Sequence, residues 1–220
     1  MKGLILKDIE LMKGNRRLYA GAYLIAVMML FMTGMNTIFF VSYVSIMSGV
    51  IGLNTVSFDQ ADNGMAFLMT LPVSRKTYAA EKYIFGMCFC LVSWFIAMII
   101  SLAICQVTGN VTDYQEWFWG CGTGLWVAVM SVAICIPVEF KFRPENVRFI
   151  FIGVFVLIFG IVFAVGKLIQ LVFGEDMEMI LTEFLSGHTI MGMTMCLIVC
   201  ILILTVSFRI SAAILEKKEF

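Results

Sequence analysis

The chain has 220 residues, 61% of them hydrophobic, 14% charged, with a mean hydropathy of +0.99 and no net formal charge. A soluble domain runs nearer half apolar and a quarter charged, so the surplus apolar residues must face lipid rather than one water-excluded core. Zero net charge with a near-neutral pI excludes the basic footprint of a nucleic-acid binder, and the seven cysteines form neither a CxxC pair nor a metal-ligand spacing.

Residues 2–17 read as an amphipathic helix. Ile5, Ile9 and Met12 follow helical spacing, while Lys7, Glu10 and Lys13 are polar. The segment is either a helix lying in the membrane interface or a charged leader that orients the first span. A cleavable signal peptide is not expected, because the opening is charged and lacks a short apolar core.

Residues 18–58 contain no charged side chain. A spanning helix needs roughly 20 apolar residues, so this stretch is expected to hold two spans with a tight turn near Met35 and Asn36. Further apolar runs complete a set of six spans at about 18–36, 38–58, 83–107, 117–138, 149–171 and 189–208. The expected fold is all-α: a single polytopic transmembrane domain over 1–220 with six transmembrane helices and an N-terminal interfacial helix.

Six spans separate the charges by side. Lys2, Lys7, Lys13, Arg16, Arg17, Arg75, Lys76, Lys82, Lys141, Arg143, Arg148, Arg209, Lys217 and Lys218 fall on one side and only Lys167 on the other. The positive-inside rule then places both termini in the cytoplasm. A lone GIVFAVGKL at 160–168 is not a phosphate-binding loop: its glycines are one residue too far apart and Leu168 stands where a magnesium-binding hydroxyl belongs.

The second inward segment, 59–82, is the informative one. Asp62 or Asn63 can cap a short helix through Gly64, Met65, Phe67, Leu68 and Met69; Leu71 and Pro72 end it, and Ser74 can cap the next helix before Arg75. A loop that only reversed direction would have no need of surface Met and Phe, so this apolar knob reads either as a docking element for a partner or as a segment packed on its own bundle. Residues 139–146 make a short charged loop that is either a second contact or a simple turn. Between 166 and 188, Met177, Ile180, Leu181 and Phe184 form one helical face amid acidic residues, expected as an external or interfacial helix over 172–188. Gly120, Gly124 and Ala128 form a small-xxx-small stripe on the fourth span, for packing inside the bundle or for a dimer seam. Cys105 and Cys121 flank one outer loop and either pair or stay free. No expected span carries a charge in its centre, so nothing there holds a coupling ion, and no constellation supports an intramembrane enzyme.

The segment running from Asp62 and Asn63 through Leu71, Pro72, Val73, Ser74 and Arg75, followed by Tyr78, Glu81, Lys82 and Tyr83, and the later Pro137, Val138, Glu139, Phe140, Lys141 and Phe142, resembles the type-2 ABC exporter permeases, most closely those of phenol-soluble modulin exporters in Gram-positive bacteria. The resemblance implies a multi-pass permease of the bacterial cytoplasmic membrane that pairs with a second permease copy or homologue and binds two separate ABC ATPase subunits. It implies no cofactor in this chain, with ATP and Mg held by the partner ATPase. Asp62, Asn63, Gly64, Met65, Phe67, Leu68, Leu71, Pro72 and Arg75 are then the ATPase-coupling residues, without catalytic or metal-binding residues. The implied substrate is an amphipathic peptide, cytolytic or antimicrobial, or a lipid-like molecule, moved outward from the cytoplasm or inner leaflet. The competing reading is a non-transporting membrane immunity or scaffold protein that binds peptides.

Overall fold

The structure is a computed structural model that describes residues 2–34, 36–60, 64–70, 73–108, 114–142 and 189–218, with isolated positions between 153 and 167. The span expected at 149–171 and the outer helix expected at 172–188 lie outside these described residues, apart from those isolated positions.

Seven helices account for the described chain: α1 (Lys2–Gly14), α2 (Arg16–Met32), α3 (Thr37–Gln60), α4 (Gly64–Thr70), α5 (Arg75–Thr108), α6 (Tyr114–Lys141) and α7 (Thr189–Lys217). Among the described residues, four stretches are long and apolar enough to cross a membrane: Thr37–Gln60, Arg75–Val107, Trp117–Lys141 and Thr194–Lys217. α2 has 17 residues, about 25 Å at 1.5 Å per residue, somewhat less than the ~30 Å hydrocarbon layer. The uncharged stretch breaks between Met32 and Thr37. Gly34 there has φ +64°, a left-handed conformation that glycine adopts without penalty, and the Asn36 side chain accepts the Phe39 N–H to start α3.

α3 is the inner helix, packed between α6 and α5. Small residues set these approaches. A Cβ on Gly124 would lie 2.9 Å from the Ser42 Cα, one on Gly120 2.8 Å from the Ile38 side chain, and one on Gly52 3.3 Å from the Gly86 Cα. The stripe at Gly120, Gly124 and Ala128 is therefore spent within the bundle, against α3. α7 covers α6 and α5 and leaves Met195, Leu197, Ile198, Ile201 and Leu202 exposed, as α5 leaves Val92, Phe95, Ile96 and Ile99. An exterior this apolar suits hydrocarbon, not water.

Pro137 sits inside α6 and cannot donate to the Ala133 carbonyl one turn back. The Ser207 hydroxyl of α7 donates to that carbonyl instead, while the Tyr83 hydroxyl lies 2.5 Å from Ser207 and 2.9 Å from Ser211. A helix break that would be costly in lipid becomes the seam between α5, α6 and α7. All seven cysteines are free; Cys105 and Cys121 are both buried, with Cys105 3.3 Å from the Thr37 hydroxyl.

Candidate coupling site

The charged end of the bundle, where α1 and α4 lie, is built on helix termini. α4 follows α3 so closely that a Cβ on Gly64 would come within 2.9 Å of the Asp59 carbonyl oxygen, so this position needs the smallest residue. Met65 and Leu68, three residues apart on one helical face, are buried against Leu53 and Val56 of α3, Tyr78 of α5, Phe140 of α6 and Leu215 of α7. Each such burial stabilises by about 1.5–3 kcal/mol. Phe67 points away and is 68% exposed. The knob is thus divided: two side chains anchor it, and one large aromatic is presented outward.

Ser74 accepts the Thr77 N–H at 3.1 Å and caps α5. α5 therefore begins at Arg75, two turns before the apolar run at 83, as the Ser74 cap predicts. Arg75 turns toward its own bundle: its guanidinium donates to the Leu215 and Glu216 carbonyls at 2.8 and 2.6 Å, satisfying the last turn of α7. Gln60 and Lys218 do the same for α6 through the Glu139 and Phe140 carbonyls, at 2.7 and 2.9 Å. Burial lowers the pKa of the Lys218 ammonium from its usual value.

Beneath α4 lies an ionic quartet that links three helices, with Asp8, Asp59 and Lys82 buried and Lys7 half-buried. The Lys82 ammonium of α5 sits 2.5 Å from an Asp8 carboxylate oxygen of α1, 2.9 Å from one of Asp59 on α3, and 3.2 Å from the Thr55 hydroxyl. Lys7 closes the circuit, 2.5 Å from the other Asp59 oxygen and 3.4 Å from Asp8. The Tyr78 hydroxyl donates to Asp59 at 2.9 Å. Two ammoniums against two carboxylates make the quartet neutral, which is the condition for keeping charges out of water. Glu81 and Glu139 border it, both buried; Glu81 lies 3.9 Å from the Lys82 ammonium, and neither its oxygens nor Glu139 Oε2 has a hydrogen-bond partner among the described residues.

Of the residues singled out from sequence, Gly64, Met65, Phe67 and Leu68 come together on α4, and Arg75 lies at the α7 terminus. Asp62, Asn63, Leu71 and Pro72 lie outside the described residues. Sequence reasoning missed the quartet. One signal was available: Asp8 stands one turn after Leu4, on the stripe that α1 buries, where a carboxylate needs a partner.

Among known proteins, the model of a family described as ABC-2 family transporter protein matches residues 3–216, nearly the whole chain. No curated protein and no solved structure matches.

Proposed function

We propose that this chain, which belongs to the ABC-2 family of transporter proteins, is the permease half of an ATP-driven exporter and receives its stroke through α4. A membrane component of an ABC transporter draws its energy from an ABC ATPase, and membership in the family implies such a partner. The observation that carries the reading is the divided knob: Phe67 is 68% exposed while its neighbours Met65 and Leu68 are anchored in the core. A rigidly mounted exposed aromatic is the side chain a partner's pocket can grip.

The end bearing α4 faces the cytoplasm in this reading. Lys7, Arg75, Lys76, Lys82, Lys141, Lys217 and Lys218 lie at this end, and the reading puts Lys13, Arg16 and Arg17 on the same side, as the positive-inside rule requires. ATP binding draws two ATPase subunits together, and each pushes on one permease's α4. The push passes to α3 through the Gly64 contact with Asp59, and from Asp59 to α1 and α5 through Lys7, Lys82 and Tyr78. Two copies of the permease, or one with a homologue, enclose the path. The substrate in this reading is an amphipathic peptide, because away from their charged ends the described spans bury apolar and small hydroxyl side chains.

The test is reconstitution with its ABC ATPase. Amphipathic peptide should accumulate in inside-out vesicles only with ATP, and a hydrolysis-dead ATPase should abolish accumulation. Protection of cells against the peptide by this chain with the dead ATPase would instead establish an immunity protein.

A further inference from the structure

A groove of about 500 Å³ opens on the outside of the bundle between α1, α2 and α5, with no residue of α4 in its lining. Its α2 wall is Arg16, Tyr19, Ala20 and Tyr23, spaced three and four residues apart on one helical face; Phe85 and Phe89 of α5 form the opposite wall. Lys13, at the end of α1, joins Arg16 at one extremity. From Arg16 to Tyr23 the groove runs about 10 Å down α2 at 1.5 Å per residue, from cationic to wholly apolar. The Phe85 and Phe89 rings stack with centroids 6.4 Å apart and 5° between planes, giving a flat wall.

Two polar features at the cationic end want an occupant. Arg16 has no ion-pair partner among the described residues, and Lys13 has only Glu10, an exposed pair at 2.6 Å that contributes little in water. One turn in from Arg16, the Tyr19 hydroxyl is buried without a hydrogen-bond partner among the described residues. A buried hydroxyl left without a partner is costly, so a ligand acceptor there is favoured.

We infer that this groove binds one anionic phospholipid of the surrounding leaflet, independently of which substrate the permease moves. The phosphate sits against Arg16 and Lys13, an ester carbonyl accepts from the Tyr19 hydroxyl, and one acyl chain lies along Tyr23, Phe85 and Phe89. The cation-to-apolar gradient fixes the lipid's direction, and two neighbouring cations favour a headgroup that lacks a cation of its own. The volume falls within the range of small-molecule sites. A lipid seated there would tie α1, the helix that carries Asp8, to the wall of α5 that carries Lys82.

The test is native mass spectrometry of the full chain extracted from vesicles of equal phosphatidylglycerol and phosphatidylcholine. The wild-type chain should retain phosphatidylglycerol in about tenfold preference, the ratio expected of a charge-assisted bond. The pair Lys13→Gln with Arg16→Gln should lose the preference, and Ala20→Trp, at an exposed position, should lose retention of both lipids without lowering the melting temperature. Equal retention of the two lipids by the wild-type chain would overturn the inference. So would unchanged retention by Ala20→Trp, or dimers formed through Ala20→Cys but not by the wild-type chain, which would show a second copy closing the groove.

Discussion

The Lys82 ammonium of α5 lies 2.5 Å from the Asp8 carboxylate of α1, with both side chains shut off from solvent. Removing one member leaves a buried charge uncompensated, which costs about 3–5 kcal/mol, whereas replacing both by apolar groups removes the demand. Lys82→Met should therefore lower the melting temperature of the detergent-solubilised protein sharply. Lys82→Met with Asp8→Leu should recover part of the loss, although Asp59 then keeps only Lys7 and Tyr78 as side-chain partners among the described residues. Additive losses in the double variant would show that the two side chains do not act as a pair.

The seam at Pro137 makes a second coupled pair. Ser207→Ala should cost about 1–3 kcal/mol, because the Ala133 carbonyl then has no donor in a buried position. In a Pro137→Ala background the helix supplies its own donor, and Ser207→Ala should cost distinctly less. A double-mutant cycle by denaturant or thermal unfolding reads the coupling.

Gly124 and Gly122 provide a matched comparison on α6. A methyl at Gly124 would meet the Ser42 Oγ at 2.3 Å and its Cα at 2.9 Å, so Gly124→Ala should force α3 and α6 apart and destabilise by about 1–3 kcal/mol. At Gly122 nothing lies within 4 Å, and Gly122→Ala should be neutral or slightly stabilising through better helix propensity. Equal effects at the two positions would contradict the close α3–α6 approach.

The helical, membrane-spanning class was legible because hydropathy and backbone satisfaction in lipid leave few alternatives for a chain this apolar. The small-residue stripe was legible as a packing face, though only the structure names its partner as Ser42 and Ile38. The knob was legible as an apolar segment between breaks. Its division was not, because Met65, Phe67 and Leu68 are equally apolar and only tertiary placement decides which is buried. The quartet stayed hidden for a different reason. Asp59 and Lys82 flank apolar runs, where single charges ordinarily mark a water interface, and Lys82 meets Asp8 across 74 positions of sequence. The motif gives Arg75 only as a coupling residue; that it also caps α7 is set by a helix end 140 residues away, which only the structure brings near.

The role of α4 is tested most directly by co-purification of the ABC ATPase with two variants of the permease. Phe67→Asp changes an exposed ring and Leu68→Asp a buried anchor three residues after Met65. Phe67→Asp should leave expression and melting temperature within about 0.5 kcal/mol of wild type, as surface changes do, yet lose the ATPase on a pull-down and lose ATP-driven transport. Leu68→Asp should fail in folding itself. A Phe67→Asp permease that still holds its ATPase and transports at the wild-type rate would contradict the assignment of α4 as the coupling element.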